Sequence, residues 1–148
     1  MKPEVGKLLE IISGKLLFEI APTVQPAYRQ QSVGLTAMLL GMVREEWDRA
    51  AARRAEENAV LRALFGRAAP QVADAELRRR LEAAAASAEK SLLVSELEKS
   101  NDALRALLID LHAHVEAQSA AWARGVEDEI WRELAKSTER RRFSLAPF

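Results

Sequence analysis

Cysteine is absent from this sequence of 148 residues, which excludes disulfides, thiol catalysis and cysteine-based zinc sites together. Histidine occurs only twice, and a di-iron bundle needs paired Glu-x-x-His motifs that this sequence does not contain. No other catalytic motif stands out. We therefore expect no metal, no other cofactor and no catalytic residue, and we lean towards a protein that is not an enzyme.

Net charge and long apolar runs are also lacking. The 22 basic residues balance the 22 acidic ones, whereas a nucleic-acid-binding domain usually carries a net positive field. The longest uncharged stretch, residues 30–43, is too short to span a bilayer. Charges at Glu10, Lys15 and Glu19 argue against a signal peptide. We expect a soluble, cytoplasmic protein that contacts no membrane and whose partner is not nucleic acid.

Proline and glycine are scarce, and residues 71–146 contain no proline and only one glycine, Gly125. Alanine supplies 27 residues, and Leu, Glu, Arg and Lys make up much of the rest. These are the strongest helix formers. The sequence predicts an all-α antiparallel bundle of five or six helices, folded as one domain over residues 1–148 with an apolar tail at 143–148.

Apolar spacing places the first two helices and their buried faces. The first is expected from about Glu4 to Ile20, and the second starts near Pro26. The residues expected to be buried are Val5, Leu8, Leu9, Ile12, Leu16 and Ile20 on the first helix, and Tyr28, Leu35, Leu39, Met42, Val43 and Ala50 on the second. The small residues Gly34, Ala37 and Gly41 favour a close helix crossing.

After Ala50, Arg53 and Glu57 interrupt the apolar stripe of the second helix. Two alternatives then remain for the course of the helix. Either the segment bends near residues 51–54, or one very long helix continues to a strong stop at Gly66 and Pro70.

The second half of the chain starts with Asp74, a typical N-cap for a third helix. A further stripe consists of Leu92, Leu93, Leu97, Leu104, Leu107, Leu108, Leu111 and Val115. A break between Ser119 and Gly125 is expected to precede the last helix.

Two polar residues on or beside these stripes are the candidate ligand-binding residues. Glu46 lies within about 20° of Leu39 on a helix with 100° per residue. Its carboxylate is therefore paired, protonated, at a cavity, or in solvent where the bundle has thinned. His114 lies at the edge of its stripe, whereas His112 lies on the flank, four residues before Glu116. If their helices are neighbours, Glu46 and His114 share a pocket.

Arginine triplets at residues 78–80 and 140–142 suggest nucleic-acid binding. Acidic residues flank both triplets, and no aromatic residue is interleaved for base stacking. Cations are in any case favoured at a helix C-terminus. We interpret both triplets as solvated helix faces.

Four features follow one another along the chain. They are Val43-Arg44-Glu45 on the long helix, the segment Leu61-Arg62-Ala63-Leu64-Phe65-Gly66, a final basic helix, and a tail that starts at Phe143. In this plan the chain resembles an uncharacterised family of small all-helical bacterial proteins encoded near aminoglycoside-phosphotransferase-like kinases or acyl-CoA dehydrogenases. The resemblance implies an accessory protein rather than a stand-alone enzyme, and it carries over no functional residues.

Apolar residues also crowd the C-terminal quarter of the chain. Trp131 widens the apolar arc of the last helix, and Phe143, Leu145 and Phe148 form an apolar tail. These four residues are the predicted interface of a homodimer or of a complex with a partner protein. We favour a non-enzymatic interaction or accessory module. The alternatives are a small-molecule-binding or catalytic bundle with a pocket near Glu46 and, less favoured, nucleic-acid binding.

Overall fold

The computed structural model describes residues 4–144, and within that range the chain contains five α-helices and no strand. Helical residues make up 84% of the structure. The helices are α1 (Val5–Gly14), α2 (Ala27–Ala68), α3 (Ala75–Ala85), α4 (Val94–Glu116) and α5 (Ala121–Arg140). The predicted all-α bundle is confirmed. In the described part of the chain, no helix is both long enough and apolar enough to cross a bilayer.

The chain divides into two compact units. Unit 1 comprises residues 4–50 together with 143–144, and unit 2 comprises residues 51–142. α2 contributes its first half to unit 1 and its second half to unit 2. The single domain expected from the sequence stays a prediction.

α2 is one continuous helix of 42 residues, so the helix runs through the interruption of its apolar stripe. Residues 50–63 are rich in alanine, and their helix propensity carries the helix through the interruption. The helix ends at Ala68, where a 3-10 turn over Ala69–Gln71 contains Pro70. Proline has no N–H to continue the helical hydrogen bonding, so the predicted stop is confirmed.

Unit 1 is a helical hairpin. α1 continues through a π-helical turn at Lys15–Ile20 and a short 3-10 turn before the chain reverses into α2. The two helices run antiparallel, because Ser13 contacts Ala37 whereas Glu10, about one turn earlier, pairs with Arg44 at 3.5 Å. With the π-helical turn included, the helical segment reaches Ile20, which is close to the predicted extent of the first helix.

Most of the large apolar residues that the sequence predicted to be buried in this hairpin are exposed. The exposed ones are Val5, Leu8, Ile12, Ile20, Tyr28, Leu35, Leu39 and Val43, whereas Leu9, Leu16 and Met42 are half-buried and Ala50 is buried. The reason is that α1 packs against Ala37, which is fully buried. A residue two positions away lies about 200° around the helix. Leu35 and Leu39 therefore lie on the side of α2 that faces away from α1.

Unit 2 packs the second half of α2 with α3, α4 and α5 around a continuous apolar core. The core residues are Leu61, Leu64, Phe65, Ala68, Ala69, Val72, Leu77, Leu81, Leu104, Leu107, Leu108, Leu111, Val115, Ala123, Val126 and Ile130. Most of the stripe predicted for α4 is thus buried. Leu92 and Leu93 are an exception, because they precede the helix and are exposed.

The helix boundaries in unit 2 follow the local signals in the sequence. The Asp74 carboxylate accepts a 2.8 Å hydrogen bond from the main-chain N–H of Leu77, which confirms the predicted N-cap. A turn at residues 117–120 joins α4 to α5 and overlaps the predicted break. The two helices run antiparallel, as an Arg105–Ser137 contact near one end and a His112–Trp131 contact further along indicate.

Candidate functional site

Unit 1 carries most of the exposed large apolar side chains in the described part of the chain. Twelve of the 17 belong to it, although it is the smaller unit. They are Val5, Leu8, Ile11, Ile12, Phe18, Ile20, Tyr28, Leu35, Met38, Leu39, Val43 and Trp47. We call this set the hairpin surface. Concentrations of exposed apolar residues on this scale mark interaction sites in soluble proteins.

The hairpin surface carries little charge over much of its length. From residue 16 to residue 43 the sequence contains only one acidic and one basic residue, Glu19 and Arg29. The other described charges of unit 1 are Glu4, Lys7, Glu10 and Lys15, together with those at residues 44–49 of α2. The part of the hairpin near the chain reversal is therefore apolar and nearly neutral.

The two helices of unit 1 meet through small residues. The Ser13 hydroxyl donates a 2.7 Å hydrogen bond to the Ala37 main-chain carbonyl, and both residues are buried. A Cβ added at Gly6 would lie 4.0 Å from Arg44, whereas one added at Gly34 would meet nothing within 4 Å. The predicted close crossing is thus present at Ala37, but Gly34 is not required for it.

A cleft of about 1170 Å³ lies in unit 1 between the start of α1 and residues 38–49 of α2. Glu45 on its wall accepts a 2.9 Å hydrogen bond from the main-chain N–H of Ser144 and pairs with Arg49. The hydrogen bond from Ser144 is the main reason that the pKa of Glu45 is lowered. This carboxylate is therefore ionised and already occupied by partners from its own unit.

The two predicted ligand-binding residues belong to different units. Glu46 of unit 1 is half-buried, and it does not line the cleft, although Glu45 and Trp47 on either side of it do. His114 of unit 2 is half-buried, and its ring lies 6.4 Å from that of Trp122. A pocket shared by Glu46 and His114 stays a prediction.

The four predicted interface residues differ in their placement. Trp131 on α5 is 54% exposed, as an interface residue would be in the isolated chain. Phe143 is half-buried. Leu145 and Phe148 lie outside the described residues.

Unit 2 contains a buried polar network that was not predicted from the sequence. It is centred on Glu57 of α2, which is only 2% exposed. Glu57 accepts hydrogen bonds from Ser137 at 2.6 Å, from Arg141 at 2.8 Å and from Arg105. Burial raises the pKa of Glu57, but the bonds from Arg141 and Ser137 and the two arginine charges outweigh it and leave the pKa lowered. Glu57 is therefore an ionised structural anchor for α2, α4 and α5.

The network continues through Asn58, which is fully buried. Its amide donates to Glu89 at 2.8 Å and accepts from the Asn101 amide at 2.8 Å. Glu89 also accepts from Arg62 at 2.6 Å, and Arg62 donates to Ser100 at 2.9 Å. These side-chain groups satisfy one another, which is typical of a network that fixes helix register rather than of a ligand site.

The arginine triplets are largely engaged with carboxylates. In the first, Arg79 pairs with Glu76 and Arg80 with Asp110, both at 2.6 Å. In the second, the partners are Glu56 and Glu133 for Arg140, Glu57 for Arg141 and Glu139 for Arg142. A phosphate backbone would have to compete with these partners. The first triplet agrees with the interpretation as a solvated helix face, whereas in the second Arg140 is only 16% exposed and Arg141 pairs with the buried Glu57.

No family model matches the chain, and neither a curated protein nor a solved structure shows significant similarity to it. Inferences about its function therefore depend on the residues themselves.

Proposed function

We propose that this protein is a non-enzymatic helical interaction module that pairs with a second copy of itself through the hairpin surface. The observation that carries this proposal is the position of Leu35 and Leu39. They lie on the side of α2 opposite to Ala37, where α1 packs, and both are at least half exposed. An apolar stripe on the outer side of a helix needs a partner to leave water.

A second copy is the partner that the architecture favours. Unit 1 has only two helices, and its described buried residues are Ser13, Ala21, Ala37 and Ala50. Two helices enclose no core, whereas four do. Two hairpins related by a two-fold axis provide four helices and bring the same apolar patch together from both sides.

The size and charge of the surface support the same partner. A stable dimer buries about 800 Å² per partner, and the outer side of α2 offers Tyr28, Leu35, Leu39 and Val43, each at least half exposed, as the apolar centre of such an interface. Since residues 16–43 contain one acidic and one basic residue, two copies of this surface do not repel each other.

The decisive experiment is sedimentation equilibrium of the wild-type protein and of the double variant Leu35→Glu/Leu39→Glu. We expect the wild type to be a dimer at micromolar concentration and the variant to be a monomer with an unchanged helical circular dichroism spectrum. The matched control is Leu92→Glu/Ile109→Glu, which places two glutamates at exposed apolar positions of unit 2 and leaves the dimer intact. A monomeric wild type, or a variant that still dimerises, contradicts the proposal.

The tail predicted to take part in association has one anchor in the described structure. Ser144 bonds to Glu45, and both residues belong to the unit that carries the hairpin surface. We therefore propose that the tail strengthens the same dimer. Deletion of residues 143–148 is expected to weaken association, measured as a larger dissociation constant in the same sedimentation experiment.

A further inference from the structure

Three potential metal ligands meet where α4 and α5 join in unit 2. His112 and Glu116 lie on α4, and Glu127 lies on α5. One ligand atom of each residue lies within 4.8 Å of the others. This cluster is separate from the hairpin surface, which belongs to unit 1.

Helix geometry explains why these side chains converge. His112 and Glu116 are four residues apart, so they lie on one face of α4, and the imidazole Nε2 is 3.5 Å from the carboxylate Oε1. The turn at residues 117–120 reverses the chain, and α5 then brings Glu127 back beside them. The cluster is assembled by a local helix–turn–helix arrangement within residues 112–127.

The imidazole of His112 provides independent evidence for a ligand. Its Nε2 is buried, and among the described residues no group forms a hydrogen bond to it with acceptable geometry. Its ring is held edge-on against Trp131, with 5.3 Å between ring centroids. A buried ring nitrogen normally has a partner. Here the nitrogen points into a group of carboxylates at distances that a small cation fits better than a direct hydrogen bond does.

We propose that His112, Glu116 and Glu127 form a binding site for a first-row divalent metal ion, with Zn²⁺ as its best fit. One imidazole and two carboxylates are nitrogen and oxygen donors of the type that Zn²⁺ accepts, at bond lengths of about 2.0–2.2 Å. The Glu116 side chain is 57% exposed, so that a small rotation of it closes the cluster around the ion. Three protein ligands leave one position open to water.

Charge favours the same occupant. A neutral imidazole with two carboxylates carries two negative charges, which a divalent cation neutralises. The ion also links α4 to α5, so that binding stabilises the fold. No metal was expected from the sequence, because His112 has only Glu116 as a possible further ligand at helical spacing on α4. Glu127 comes from the next helix, and no spacing rule within α4 indicates it.

The test is isothermal titration calorimetry of Zn²⁺ into the metal-free full chain. We expect one ion per chain, with a dissociation constant on the order of micromolar, and a higher melting temperature in the presence of Zn²⁺. His112→Ala and Glu127→Gln are each expected to weaken binding about tenfold or more. Both positions are half-buried, so both variants are expected to fold, which circular dichroism checks.

The matched control is His114→Ala. His114 lies two residues away and also has a buried Nε2 without a hydrogen-bond partner in the described chain, but it is not part of the carboxylate cluster. Its replacement is expected to leave Zn²⁺ affinity unchanged. The proposal is overturned if Zn²⁺ does not bind, if His112→Ala and Glu127→Gln bind it as the wild type does, or if His114→Ala loses binding equally.

A second readout places the ion within the structure. Cu²⁺ quenches tryptophan fluorescence at short range, and Trp131 is in contact with the His112 ring. We expect saturable quenching that competes with Zn²⁺ and is lost in Trp131→Phe. Quenching that persists unchanged in Trp131→Phe would locate the metal elsewhere and overturn the assignment.

Discussion

The Ser13 hydroxyl on α1 donates a 2.7 Å hydrogen bond to the main-chain carbonyl of Ala37 on α2. A side chain as short as serine reaches a helix backbone only if the two helices approach closely, which in turn requires a small residue at position 37. The same contact orients α2, because it places Leu35 and Leu39 on the opposite side of the helix. Close packing inside the hairpin and an apolar outer surface are thus two results of one contact.

The first prediction is that Ala37→Leu opens the hairpin. Ala37 is fully buried against α1, and a larger side chain in a packed site costs about 2 kcal/mol. We expect faster amide hydrogen exchange at residues 5–20, with little change in the core of unit 2. The control is Ala59→Leu, at an exposed position of the same helix. Exchange at residues 5–20 that is unchanged in Ala37→Leu would show that α1 does not depend on this contact.

The second prediction concerns Gly125, an exposed glycine inside α5. A Cβ at this position meets nothing within 4 Å, so Gly125→Ala adds no clash and removes the entropic cost of a helical glycine. We expect stabilisation of roughly 0.5–1 kcal/mol. Urea denaturation followed by circular dichroism measures it. A variant less stable than the wild type would indicate a backbone requirement at residue 125.

The features that could be predicted from the sequence are those with local causes. Asp74 is an N-cap because its carboxylate reaches an N–H three residues later, and the stop at Pro70 follows from the chemistry of proline. Burial was not predictable in the same way. Periodicity indicates that Leu35 and Leu39 form an apolar face, but not which neighbour covers it.

The buried polar network could be predicted only in part, for a related reason. Glu57 was visible in the sequence as an interruption of an apolar stripe. Its partner Arg141 is 84 residues away in the chain, and residues that pair over such distances leave no spacing signal. The metal-ligand cluster depends likewise on Glu127 of a second helix.

The third prediction is that Glu57→Gln destabilises the protein at neutral pH, by about 2 kcal/mol. Breaking a buried ion pair commonly costs about 3–5 kcal/mol, but the side chains of Arg105 and Arg141 are 37% and 46% exposed and recover some hydration. Thermal or urea unfolding measures the loss. A variant as stable as the wild type would mean that Glu57 contributes no net stability.

The same variant is expected to change the pH dependence of stability. The pKa of Glu57 is lower in the folded chain than its ordinary value of 4.5. Its contribution is therefore fully present above pH 4.5 and is lost as the pH falls through the folded-state pKa. The difference in unfolding free energy between wild type and Glu57→Gln should shrink in that acidic range. A difference that stays constant down to pH 3 would contradict the ionised state.

The last prediction is the opposite dependence at Glu133, a buried carboxylate on α5. Burial raises the pKa of Glu133, and the ion pair with Arg140 offsets it only in part. The folded-state pKa lies above the unfolded value of 4.5, so protonation of Glu133 contributes to the stability of the folded chain. That contribution is fully present below pH 4.5 and is lost as the pH rises through the folded-state pKa.

Glu133→Gln is neutral at every pH and keeps an oxygen that accepts from Arg140. We therefore expect the stability of Glu133→Gln relative to wild type to increase as the pH rises from 4 to 7, in contrast to the Glu57→Gln variant. Urea unfolding at a series of pH values measures both variants side by side, and a relative stability of Glu133→Gln that falls over this range would show that the pair with Arg140 outweighs burial.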